Sequence, residues 1–220
     1  MTTTDPAVGR PEAPGLVYSP PVPLLVPVPP PPPAKRRGYS TGFWGIALVI
    51  TTESMIFLAL LASYFFLRAT SHQWPPPGIE KPDLQTGWIF SVVLIGSSIP
   101  VLWAEVAIAR GKVGQLRAGL MISFLMGTAF LLYTYDDFQK LHFGWKDNAY
   151  ASIFYVTVGL HSLHVLAGLL ISLVTQVKAW LGLFDAEHHV SVQIFSLYWH
   201  FVDGVWIFVF SSLFLSAHIR

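Results

Sequence analysis

After its first forty residues the chain is divided by long runs of apolar residues, each closed by a short polar stretch. Five such runs lie near 42–67, 88–109, 117–136, 149–178 and 192–217. A helix rises 1.5 Å per residue, so about 20 apolar residues cross the hydrocarbon of a bilayer. The pattern therefore predicts an all-α fold, a polytopic membrane bundle of five transmembrane helices. The third run is the shortest and ends in the polar "YDDFQK". The fourth, at about 30 residues, must tilt or protrude. The loop "RATSHQWPPPGIEKPDLQTG" is punctuated by prolines, and Asn148 is placed to cap the helix after "DDFQKLHFGWKDN".

Two domains follow. Residues 1–41 form a tail whose "YSPPVPLLVPVPPPPPAKRRG" holds most of the prolines. Proline lacks a backbone donor and blocks helix, so this stretch is expected to be extended or disordered. Residues 42–220 form the five-helix domain. Hydrophobic residues make up 53% of the chain and charged ones only 11%, against about 25% in an ordinary soluble domain. Mean hydropathy is +0.55. The net charge of +1 comes without a basic stripe, which leaves no nucleic-acid partner. The absence of cysteine excludes disulfides and thiolate metal sites. The N-terminus lacks the charged start and clean apolar core of a signal peptide.

Lys and Arg set an orientation. With the N-terminus inside, the inner segments carry Arg10, Lys35, Arg36, Arg37, Arg110, Lys112, Arg117 and Lys178. The outer ones carry Arg68, Lys81, Lys140, Lys146 and Arg220. The bias predicts an N-terminus inside and a C-terminus outside. Trp44, Trp88, Trp103, Trp145 and Trp180 fall near span ends, as an aromatic belt does. Gly159, Ala167, Gly168 and Ser172 allow close helix contact in the fourth span.

An ionisable group at the bilayer centre costs about 2.5–3.5 kcal/mol on insertion scales. Glu53, His161, His164, His200 and Asp203 each sit roughly 12–22 Å from one end of a span at 1.5 Å per residue, and so each needs a reason. His161 and His164 are three residues apart and share a helix face, as do His200 and Asp203. These faces are expected to converge inside the bundle, with imidazole N–H groups meeting the carboxylates of Glu53 or Asp203. For the histidine pair, interhelical hydrogen bonding and ligation of a haem or metal are both open. The Glu-x-x-His motifs of a di-metal bundle are missing. For Glu53 the choices are proton transfer and a structural or lipid-facing hydrogen bond. Glu105, Asp136 and Asp137 read as interfacial.

Three motifs carry a resemblance. "TTESMIFLALLASYFFLR" resembles the Ser-Glu-x-x-x-Phe helix of subunit III of the haem–copper oxidases. "NAYASIFYVTVGLHSLHVLAGL" is similar to that family's Gly-x-His-Gly-x-His-Val segment, and "SVQIFSLYWHFVDGVWIFVF" to its closing Tyr-Trp-His-Phe-Val-Asp helix. They occur in the family's order across residues 42–217. The resemblance is to the subunit of cytochrome c oxidase or its quinol-oxidase counterpart, in a five-helix form lacking the first two of seven helices. Thr52 stands where Ser is common, and Ser162 makes the second motif His-Ser-x-His.

The resemblance implies an accessory, non-catalytic subunit of a proton-pumping terminal oxidase that reduces oxygen to water. By it this chain holds no cofactor, and haem and copper belong to partner catalytic subunits. The implied partners are oxidase subunits I and II, phospholipids, and a cytochrome c or bc-type supercomplex, in a bacterial plasma membrane. Glu53 matches the family's membrane-buried glutamate, and His161, His164, His200 and Asp203 its other buried polar positions. A rival reading is a bis-imidazole haem anchor using His161, His164 or His200. A closer one is the related subunit of a nitric oxide reductase system.

Overall fold

The structure, a computed structural model, describes residues 41–79 and 81–218. These residues form helices and loops only. Five stretches are long and apolar enough to cross a membrane: Thr41–Thr70, Leu84–Ala109, Val113–Lys140, Ala149–Trp180 and Val190–His218. The helices are α1 (Thr41–Thr70), α2 (Leu84–Gly96), α3 (Ser98–Ala109), α4 (Val113–Lys140), α5 (Ala149–Trp180) and α6 (Val190–Val209). The last span closes with a π-helical turn, Phe210–Leu215, and a 3-10 turn, Ser216–His218. Apart from Thr41, which opens α1, the proline-rich segment lies outside the described residues.

The second span differs from the single run expected at 88–109. It begins at Leu84, where the Asp83 carboxylate accepts from the Gln85 N–H at 3.1 Å. It then breaks at Ser97. Pro100 cannot donate to the Gly96 carbonyl, and its ring crowds that carbonyl, so the helix restarts rather than continues. The third span runs on to Lys140, whose ammonium pairs with Asp136 one turn back. Asn148 caps α5 by accepting from the Ala151 N–H at 2.8 Å.

α4 packs against α2, α3 and α5; α6 packs against α1, α3 and α5. α1 sits at the edge, seated chiefly on α5 and α6. Gly119 sets the tightest α3–α4 approach, because a Cβ there would lie 2.5 Å from the Pro100 carbonyl oxygen. Gly168 is likewise closely packed, whereas Gly159 faces no neighbour within 4 Å. The core is ring-rich, with Tyr64, Phe130, Tyr150, Phe154, Phe195 and Trp199 fully buried. Trp44, Trp88, Trp103, Trp145 and Trp180 stay exposed.

Candidate functional site

The five polar residues within the spans fall into two clusters rather than one, and of them only His161 and Asp203 are buried. The first joins α1 to α5. His164 Nε2 lies 3.2 Å from Glu53 Oε2, and His164 Nδ1 lies 2.8 Å from the Leu160 carbonyl. A carbonyl only accepts, so Nδ1 carries a proton. The second contact then has two forms: imidazolium donating to a carboxylate, or a protonated Glu53 donating to Nε2. Both are neutral overall, which suits a pair held within hydrocarbon. The proton can rest on either atom without a net change in charge. The Glu53 side chain keeps 31% of its surface accessible, against 12% for His164.

His161, on the same face of α5, points deeper. It is fully buried, and neither ring nitrogen has a hydrogen-bond partner. Aromatic rings enclose it: Trp206 at 4.8 Å, Phe130 at 5.9 Å and Phe57 at 6.4 Å between centroids. The Phe130 and Phe57 planes stand steeply to the imidazole, at 87° and 69°.

The second cluster joins α3 to α6. The Ser98 hydroxyl donates to Asp203 Oδ2 at 2.5 Å, and His200 Nδ1 lies 2.8 Å from Ser98 Oγ. With Ser98 donating to the carboxylate, His200 must supply its Nδ1–H to Ser98. Ser98 is the first residue of α3, so its hydroxyl meets this carboxylate directly after the break at Ser97. Asp203 Oδ1 and His200 Nε2 are buried without partners. The same break presents Ser97 Oγ to the Trp199 indole N–H at 2.8 Å, and one turn pair earlier Ser91 receives Trp206 at 2.9 Å. Trp199 itself is wedged between Gly127 and Gly168; a Cβ on either would come within 2.7–2.8 Å of its ring. Pattern reading did not pick out Ser91, Ser97, Ser98 or Gly127.

An apolar groove of about 430 Å³ lies between α1 and α6, lined by Ser54, Phe57, Leu61, Phe201, Gly204 and Phe208. Both His164 nitrogens are engaged, and His161 is walled by rings, while His200 bonds Ser98 through Nδ1 alone. Among the described residues no group of three or more His, Asp or Glu is placed to hold a metal.

Residues 35–217 match the family described as cytochrome c oxidase subunit III. The chain is 36% identical to cytochrome c oxidase subunit 3 of Thermostichus vulcanus, over 78% of this chain and 85% of that protein. It is 35% identical to the subunit 3 of a Synechocystis strain, over 78% and 74%. For Arabidopsis thaliana the identity is 31%, over 78% and 67%. The match takes in all five spans and both polar clusters, and the chain belongs to the cytochrome c oxidase subunit III family.

Proposed function

We propose that this chain is the accessory subunit of a haem–copper terminal oxidase in a bacterial plasma membrane, with its N-terminus inside. In this reading subunits I and II carry the haem and copper and perform oxygen reduction. The present chain packs beside them, holds phospholipid, and keeps proton uptake intact over many turnovers. Glu53, His161, His164, His200 and Asp203 hold the bundle and its lipid face; none performs the oxygen chemistry.

The observation that carries this reading is the Glu53–His164 pair together with an apolar groove one of whose walls, Phe57, packs 5.1 Å from the His164 ring. The carboxyl is anchored through one oxygen and remains partly open on the least buried helix. A groove of about 430 Å³ with almost wholly apolar walls suits an acyl chain. A net-neutral polar pair near it can pass its proton between His164 and Glu53 without placing a lone charge in hydrocarbon. The test is Glu53→Ala in the assembled oxidase. Phospholipid retention should fall, and turnover-linked inactivation should accelerate more than initial oxygen consumption drops. Immediate and complete loss of oxygen reduction in a fully assembled complex would contradict the reading.

A further inference from the structure

We propose that the seam between α5 and α6, where α5 ends and α6 begins, binds one phospholipid with a zwitterionic, primary-amine headgroup. Two hollows, of about 370 and 340 Å³, share Lys178 and Ser191 and so form one continuous depression. Its mouth carries the polar groups Lys178, Ser191, Glu187 and His188 among the apolar Leu183, Phe184 and Val190. Its floor is apolar, formed by Leu170, Ile171, Val174 and Ile194. Leu170 lies eight residues before Lys178, so the floor runs about 12 Å along the helix axis. This is the layout of a lipid site: charge at the interface, and a channel for one acyl chain beneath it.

The charges select the headgroup. Neither the Lys178 ammonium nor the Glu187 carboxylate has a hydrogen-bond or ion-pair partner among the described residues. The neighbouring charges are already engaged. His188 Nδ1 lies 3.1 Å from the Asp185 carboxylate. Arg117 donates twice to the Ala179 carbonyl and lies 4.6 Å over the Trp180 ring. Lys178 and the Ser191 hydroxyl together supply a cation and a donor for a phosphate. Glu187 supplies an acceptor for an ammonium. A purely anionic headgroup would meet Glu187 as a like charge, and a quaternary choline has no N–H to give it. Phosphatidylethanolamine satisfies both ends. The seam is separate from the α1–α6 groove and does not depend on Glu53.

The test uses the oxidase complex purified through this chain and stripped in mild detergent. It is then incubated with micelles containing phosphatidylethanolamine, phosphatidylglycerol or phosphatidylcholine, and bound lipid is counted by native mass spectrometry. One phosphatidylethanolamine should persist beyond any held at the α1–α6 groove. Lys178→Ala and Glu187→Ala should each weaken its retention about fivefold, the effect of one interfacial charge. Val174→Trp, which fills the floor and leaves the mouth intact, should remove it too, while Glu53→Gln should not. Equal retention of phosphatidylglycerol or phosphatidylcholine would overturn the headgroup assignment. Unchanged phosphatidylethanolamine in both the Lys178 and Glu187 variants would overturn the site.

Discussion

α1 and α6 each carry a carboxylate near mid-span, yet the two helices live in different surroundings. α1 buries only Phe57 and Tyr64 of its thirty residues. α6 buries nine of twenty, among them Tyr198, Trp199, Asp203 and Trp206. Glu53 accordingly has one cross-helix partner and a partly open side chain, whereas Asp203 is 4% exposed and tied to a serine at a helix start. The same functional group does two jobs. At the edge of the bundle it stays available to lipid, water or a neighbouring subunit. In the middle it fastens helices that an apolar solvent does not drive together.

Breaking the buried side of this comparison should have the largest effect. Trp199→Ala empties a pocket shaped by Gly127 and Gly168 and removes the indole N–H that Ser97 accepts, and should cost about 3–5 kcal/mol. The yield and detergent-unfolding midpoint of the assembled complex would register it. Asp203→Leu should come next, at about 1–3 kcal/mol, because Ser98 loses its acceptor inside the bundle. Asp203→Asn keeps an acceptor for Ser98 and should be milder. If Leu and Asn behave alike in the same unfolding measurement, the hydrogen bond is not what holds α3 to α6.

Asn148→Ala should cost about 1 kcal/mol by removing the cap of α5. Glu53→Gln should be smaller still in stability while altering lipid retention, and this divergence from Asp203 sharpens the contrast between edge and core. A large fall in unfolding midpoint for Glu53→Gln would erase it.

The smallest effect lies in the loop before α6. There the hydrogen bond to Asp185 raises the His188 pKa, and the same bond lowers that of Asp185. The pair therefore contributes between the two shifted values. It fades as pH rises through the raised His188 value or falls through the depressed Asp185 value. Asp185→Asn should return the His188 titration, followed by NMR, toward the ordinary histidine range.

Much of this architecture is legible along the chain. Long apolar runs reveal five spans because hydrocarbon tolerates little else. Asn148 and its following helix form a local signal, and the His-x-x-His and His-x-x-Asp spacings place each pair on one face. The partners across helices are not legible in the same way. Ser91, Ser97 and Ser98 look like ordinary small residues of a span, since a serine can bond its own helix carbonyl, as Ser91 also does. Their value comes from Trp206, Trp199, His200 and Asp203, more than a hundred residues away. Convergence of these polar faces is the expectation from similar depth and three-residue spacing. Depth fixes the level of a side chain but not its direction, and two separate clusters result. The break at Ser97 could have been read from Pro100, which sits within an apolar run where helix continuity is otherwise favourable.

The measurement that tests the central claim most directly is a mild-detergent purification through this chain, with a visible spectrum and identification of the co-purifying subunits. The accessory-subunit account predicts that haem and copper arrive with a separate large subunit and leave when this chain is stripped away. A Soret band retained by the isolated chain would contradict it and make ligands of His161, His164 or His200.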